Sequence, residues 1–171
     1  MIRLTTTLGC ALLLGACAIT ATGPVGVAKL ASTIGNTASG EVKFAQMGDR
    51  VLVTGEVRGL KPNAEHGFHV HDKGDCSSGD GMSTGGHFNP GGKAHGAHGA
   101  AEQHAGDLPS LKADASGTAR FSFESRTISV GAGAANVLER GLIVHRDPDD
   151  YTTQPTGNSG PRLACAVITK V

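Results

Sequence analysis

From Glu41 onward the chain alternates in twos. Glu41-Val42-Lys43-Phe44-Ala45-Gln46 and Arg50-Val51-Leu52-Val53-Thr54-Gly55-Glu56-Val57 set apolar side chains at every second position, the period of a strand with one buried face. The same alternation, or a β-branched run, predicts further strands over 66–71, 117–123, 127–130, 141–145 and 164–171. Met47-Gly48-Asp49 and Asp114-Ala115-Ser116-Gly117 carry the residues of tight turns, which fold neighbouring strands into hairpins. No segment keeps an apolar helical period for three turns; only 134–140 allows a brief helical turn. The pattern predicts an all-β sandwich or barrel with two long loops, one from Asp72 to about Leu108 and one from Arg146 to Leu163. Unpatterned stretches of that length inside a compact domain are usually functional.

The N-terminus follows another rule. Arg3 precedes an apolar core, Leu8 to Gly15, that is too short for a permanent membrane span, so residues 1–16 read as an export signal. Leu14-Gly15-Ala16-Cys17 resembles a bacterial lipobox, with cleavage before Cys17 and lipid on that residue. On this reading 17–28 is a tether, 29–171 is the folded domain, and membrane contact is confined to the lipid anchor. The alternative is an ordinary signal peptide cut after Ala18 or Ala21. Either way the expected location is the periplasm or cell envelope.

At 171 residues the chain has room for one domain with a proper core. Its 26 glycines and lack of tryptophan favour turns and irregular loops. Lys plus Arg and Asp plus Glu both number 15, which leaves no basic footprint for nucleic acid. Export removes Cys10, and lipid would occupy Cys17, leaving Cys76 and Cys165 as one possible pair in an oxidising compartment. Free thiols or metal ligands are the alternatives. No CxxC spacing supports zinc on sulfur, which favours the bridge.

The candidate chemistry lies in the histidines. His69, His71, His87, His95, His104 and His145, with Asp107, supply enough ligands for two metals. In Phe68-His69-Val70-His71 the strand period sends Phe68 and Val70 to the core and both imidazoles outward together.

His66-Gly67-Phe68-His69-Val70-His71, Gly86-His87-Phe88-Asn89-Pro90, His95, His104-Ala105-Gly106-Asp107, Gly141-Leu142-Ile143-Val144-His145 and Gly160-Pro161-Arg162-Leu163-Ala164-Cys165 closely resemble the copper,zinc superoxide dismutases in order and spacing. The resemblance covers about residues 28–171, and with the leader it points to the bacterial exported, lipoprotein-like type. It implies an eight-stranded Greek-key β-barrel or sandwich with one copper and one zinc ion per subunit. Copper would sit on His69, His71, His87 and His145, and zinc on His87, His95, His104 and Asp107, with His87 shared. Several imidazoles around an open position suit a redox-cycling copper, whereas a closed nitrogen and oxygen set suits zinc.

Asp149 matches a carboxylate that bonds one copper histidine and one zinc histidine, here His69 and His95; Asp147 and Asp150 read better as turn residues. Arg162 matches the guanidinium that guards the copper channel, Thr156 the residue flanking it, and Arg140 an arginine that holds the disulfide-bearing loop by its carbonyls. The implied reaction is dismutation of superoxide to oxygen and hydrogen peroxide in envelope antioxidant defence, with Arg162 docking the anion and His87 exchanging a proton.

Several features depart from the eukaryotic pattern. Ser77 to Thr84 lengthen the loop after Cys76, and Pro148 to Pro161 lack the glutamates and lysines that steer superoxide. Steering has to come from elsewhere, with Lys73 and Lys93 as candidates, or be weaker. Lys73 also replaces the aromatic residue of the eukaryotic dimer, which points to a bacterial-type homodimer or a monomer. His98 matches no ligand position and reads as a loop residue, and His66 as a structural hydrogen-bonding histidine. The rival function is a periplasmic copper or zinc buffer of the same fold, which should have lost a copper ligand, Arg162 or the cysteine pair.

Overall fold

The computed structural model describes residues 23–171; residues 1–16, read as an export signal, with Cys10, and the expected lipid-bearing Cys17 lie outside the described residues. The strands are β1 (Val25–Ser32), β2 (Ser39–Met47), β3 (Arg50–Arg58), β4 (Glu65–His66), β5 (Phe68–His71), β6 (Leu111–Lys112), β7 (Ala119–Ser125), β8 (Gly141–His145), β9 (Arg162–Val167) and β10 (Thr169–Lys170). All pair antiparallel. Seven form one path in the order β5-β8-β9-β1-β2-β3-β7, with β10 on β1, and β4 pairs β6. The sheet curls because β1 serves both halves: Val25 to Leu30 pair β2, whereas Ala31 and Ser32 pair β9. The short β4–β6 ladder leads into the two open edges, β5 through Gly67 and β7 through the turn after Asp114. An all-β barrel with long crossovers is therefore the fold.

The predicted hairpin is present: Met47 pairs Arg50 across Gly48 and Asp49, and Gly48 takes the left-handed conformation (φ 64°) that a two-residue hairpin loop needs at its first position. The alternation of β2 and β3 buries Val42, Phe44, Val51, Val53 and Val57 completely. These side chains meet Phe68, Val70, Leu142, Val144 and Ile168 in one core.

Four expectations are corrected. β1 begins at Val25, so the folded domain starts before residue 29; the strand is illegible in the sequence because its inward positions include Gly26 and Ala28, too small to mark a period. Residues 127–130 are not a strand: Ile128 and Val130 are buried, but the segment is held in an irregular loop by Ser129 N–H to Ala135 and Val137 N–H to Ser129. Residues 134–140 form turns rather than a helical turn, with Asn136 N–H bonded to Gly133 and Arg140 N–H to Val137. The 66–71 strand breaks at Gly67 into β4 and β5, and a short 3-10 turn over Met82–Thr84 interrupts the first long loop.

Candidate metal centre

Three segments converge behind β5 through a closed circuit of backbone bonds. Val70 N–H donates to Gly106 (2.9 Å), Gly106 N–H to Phe88 (2.9 Å) and Phe88 N–H to Val70 (2.8 Å). The circuit sets His69 opposite Asp107 and His71 opposite His87. A register shift between Val144 and His145 at the end of β8 accompanies the turn of that strand toward the same place. The two long loops then close over the outer face, so His69, His71, His87 and His145 are all buried. This corrects the strand-period picture: the imidazoles do point away from the core together, but loops rather than water cover them.

Two groups of four result, His69, His71, His87, His145 and His87, His95, His104, Asp107, each with one donor atom per residue within 4.8 Å of the others. The first is the set the resemblance assigns to copper and the second the set it assigns to zinc. In the first, His71 Nδ1 bonds the Gly85 carbonyl (2.9 Å) and His145 Nδ1 the Gly160 carbonyl (3.1 Å). Carbonyls only accept, so both Nδ1 atoms carry the hydrogen and the two Nε2 lone pairs confront each other at 3.4 Å. His69 Nε2 is likewise engaged by Asp149 (2.7 Å), leaving Nδ1 buried and without a partner among the described residues. His87 Nε2 is in the same condition, and its ring stacks on His69 at 3.9 Å between centroids. Buried, unpaired nitrogen typically costs about 1 to 3 kcal/mol, and lone pairs aimed at one another cost more. A cation between them removes the penalty, so this donor set fits copper.

The second group is organised by Asp107. Its Oδ1 lies 2.8 Å from His87 Nδ1 and its Oδ2 3.0 Å from His95 Nδ1, while Oδ2 also accepts the backbone N–H groups of Gly96 (3.1 Å) and His104 (2.8 Å). His95 Nδ1 and His104 Nδ1 are buried without a hydrogen-bond partner of proper geometry, which fits zinc in a closed nitrogen and oxygen set. Asp149 joins the groups, taking His69 on Oδ2 and His95 Nε2 on Oδ1 (2.9 Å). Gly157 passes against this pair in a left-handed conformation (φ 64°), where a Cβ would strike both Asp149 Oδ1 and His95 Nε2.

The electrostatics follow from this packing. In the metal-free chain burial holds His69 down to about 4 despite Asp149, and burial with neighbouring rings keeps His71 and His145 well below the usual histidine range. For His95 burial is outweighed by Asp107 and Asp149, which raise it to about 9. Burial works against ionised Asp107 and Asp149 as well, yet bonds from the histidine rings hold both carboxyls well below the carboxylate range.

The remaining predicted residues fall as follows. Cys76 and Cys165 are bridged, with Cα atoms 6.0 Å apart, which ties the first long loop to β9. Arg162, half-buried, donates to the Gly81 carbonyl, to Thr84 Oγ1 (2.8 Å) and to the Gly85 carbonyl (2.7 Å). Arg162 thus grips the carbonyls of the loop after Cys76. Arg140 also holds the disulfide-bearing loop, in line with the resemblance, donating to the Asp72 carbonyl and carboxylate at its start, and it lies 4.4 Å above the Phe88 ring. Thr156 is half-buried beside Gly157. Lys93 is tied to the Ala101 carbonyl (2.7 Å), whereas Lys73 lies exposed at the loop edge near Gly85. His66 Nδ1 bonds the His145 carbonyl (2.8 Å), a structural role as expected, and His98 bridges the Asp107 and Glu124 carbonyls.

Sequence reasoning missed Thr84 and Gln154. Gln154 holds the His95 backbone, and Thr84 stands between Arg162 and His71. Nothing in their local sequence marks them.

Residues 38–168 match the family model described as copper/zinc superoxide dismutase (SODC). Superoxide dismutase [Cu-Zn] of Paramecium bursaria Chlorella virus 1 is 41% identical over 135 residues, covering 75% of this chain and 71% of the relative. Superoxide dismutase [Cu-Zn] 2 of Brassica juncea is 45% identical over 150 residues, covering 84% of this chain and 95% of the relative. Among solved structures, the clock protein EA4 superposes with a TM-score of 0.78 at 36% identity, covering 91% of this chain and 99% of that one.

Proposed function

The chain belongs to the copper/zinc superoxide dismutase family, and from that premise we propose how its residues divide the work. It is a superoxide dismutase that takes copper and zinc and converts superoxide and protons to oxygen and hydrogen peroxide. His69, His71, His87 and His145 hold copper; His87, His95, His104 and Asp107 hold zinc. The single observation carrying the metal assignment is the confrontation of His71 Nε2 and His145 Nε2 at 3.4 Å inside the first group, two lone pairs that a cation between them reconciles. When bound, copper supplies a one-electron couple at an open position and zinc a redox-silent anchor.

The chain's own groups do the rest. Of the guanidinium's five N–H groups, Arg162 directs three to Gly81, Thr84 and Gly85, and the others meet a small anion. The bonds to the loop hold it still, so capture needs no reorganisation. His87 Nε2, buried and unpartnered, is placed to hold a proton and release it to the departing peroxide. Asp149 fixes the tautomers of His69 and His95 by accepting from both Nε2–H groups.

The N-terminal pattern supports action in the periplasm or cell envelope, anchored by lipid on Cys17 after removal of 1–16, as antioxidant defence. Exposed Lys73 supports a bacterial-type homodimer or a monomer. Cys17→Ser should release the protein from membranes and abolish lipid labelling; persistent labelling overturns the anchor. The site assignment is tested by His145→Ala, assayed for metal content and superoxide consumption. Loss of copper and activity with zinc retained is expected, and an active, copper-replete variant overturns it.

A further inference from the structure

The hydroxyl of Thr84 is fully buried and makes three contacts at once. It donates its single hydrogen to the Gly81 carbonyl (2.9 Å) and accepts from Arg162 (2.8 Å). Its remaining lone pair faces His71 Nδ1 at 3.2 Å. Among the described residues that nitrogen meets two oxygens, Thr84 Oγ1 and the Gly85 carbonyl at 2.9 Å, and the Gly85 carbonyl also accepts from Arg162 (2.7 Å). Because the carbonyl cannot donate and the hydroxyl has committed its hydrogen, Nδ1 carries the proton and shares it between them. His71 is thereby fixed as the tautomer whose Nε2 lone pair points into the first group. The threonine methyl packs against Gly141 at the start of β8, where a Cβ would lie 2.8 Å from it.

We propose that Thr84 is a positioning residue of the dismutation, its hydroxyl locking the Arg162 guanidinium and the His71 ring into one frame. The proposal rests on the reading of Arg162 as the anion dock and His71 as a copper ligand. Superoxide has to reach the metal while held by the guanidinium, so the relative placement of these groups sets how well docking and electron transfer coincide. One Thr84-independent contact also joins them, the Gly85 carbonyl that accepts from both, but it is a backbone atom of a loop. Among the described residues, Thr84 alone supplies a side-chain atom that touches guanidinium and imidazole directly. A buried network of this kind couples its members beyond the sum of the pairs.

The test uses copper- and zinc-loaded protein carrying Thr84→Val, Thr84→Ser or Arg162→Lys, and the double variant Thr84→Val/Arg162→Lys. Three quantities are read: the superoxide rate constant by pulse radiolysis, azide affinity by optical titration, and the copper(II) paramagnetic resonance spectrum. Thr84→Val should lower rate and azide affinity together by roughly 3- to 10-fold, as for one lost hydrogen bond, and should shift the spectrum. Thr84→Ser, which keeps the oxygen, should match the parent within about twofold. In the Arg162→Lys background Thr84→Val should cost less than about twofold, the non-additivity expected of directly coupled groups. Equal losses in both backgrounds, or a Thr84→Val protein with parental rate, azide affinity and spectrum, overturn the proposal. If Arg162→Lys alone changes neither rate nor azide affinity, it is the reading of Arg162 as the dock that falls, and the proposal with it. Should Thr84→Val not fold, Thr84→Ala carries the same comparison without added bulk.

Discussion

The side-chain amide of Gln154 closes on the backbone of His95 from both directions, accepting its N–H on Oε1 at 2.8 Å and donating Nε2–H to its carbonyl at 2.9 Å. The loop after β8 thus holds His95 twice, by the backbone through Gln154 and by the ring through Asp149. Gln154→Ala should therefore weaken zinc by about 10-fold, the lower end for an outer partner of a metal ligand. Gln154→Glu keeps the acceptor but not the donor and should fall between. A chelator competition titration reads both; zinc affinity unchanged in the alanine variant removes the idea.

Arg162→Glu should cost far more activity than Arg162→Lys when the two are compared at equal copper content, because Arg162 contacts loop oxygens and not the ligand atoms. Lysine keeps the charge and loses the directed fork; glutamate reverses the field that attracts a small monoanion. Raising ionic strength should slow the parent enzyme, with a weaker or opposite response in the glutamate variant. Stopped-flow rates across a salt series at matched copper content decide it, since equal rates for all three proteins would leave Arg162 without a docking role.

Reduction of Cys76–Cys165 should destabilise the protein by up to about 4 to 5 kcal/mol in the chain-entropy account, because the bridge spans 89 residues. It should also loosen copper. The bridge and Arg162 anchor opposite ends of the loop that carries Gly85, whose carbonyl holds His71. Denaturant titrations with and without reductant, with copper release followed in parallel, test both halves. Copper retention that ignores the thiol state would refute the second.

The metal-free protein should be most stable near pH 6.5. His69, lowered to about 4, and His71 and His145, also held well below the usual histidine range, bind fewer protons folded than unfolded, so their contribution is present above the unfolded value and lost as pH falls from 6.5. His95, raised to about 9, has the opposite sign: its stabilisation is full below 6.5 and disappears as pH climbs through 9. Denaturant midpoints of chelator-treated protein across pH 4 to 10 should form a hump. A midpoint that stays flat between 4 and 6.5 contradicts burial of neutral imidazoles.

Much of this protein is legible along the chain because the signals are local. Alternation in β2 and β3 reports a face buried by its own side chains, and Gly141–His145 reads as a strand through a short apolar, β-branched run buried at every position. The ligand residues announce themselves by type, since few roles other than metal binding gather so many imidazoles and a carboxylate at such spacings. The cysteine pair is favoured in the sequence, with free thiols or metal ligands as alternatives, and the structure bridges it. What a residue touches is a different kind of fact. Gly26 and Ala28 lie inside β1 but leave no hydrophobic mark, and Ile128 and Val130 are apolar because the core takes them, not because they form a strand. Thr84 in sequence is an ordinary loop threonine and Gln154 an ordinary polar residue before a proline. Their partners, His71, Arg162 and His95, reach them only after the loops have been laid across the barrel by the disulfide and by the backbone circuit through Val70, Phe88 and Gly106. Ligand chemistry belongs to the residue and is written in the sequence; the hydrogen bond that orients the ligand depends on where two distant loops come to rest, and that only the packed structure decides.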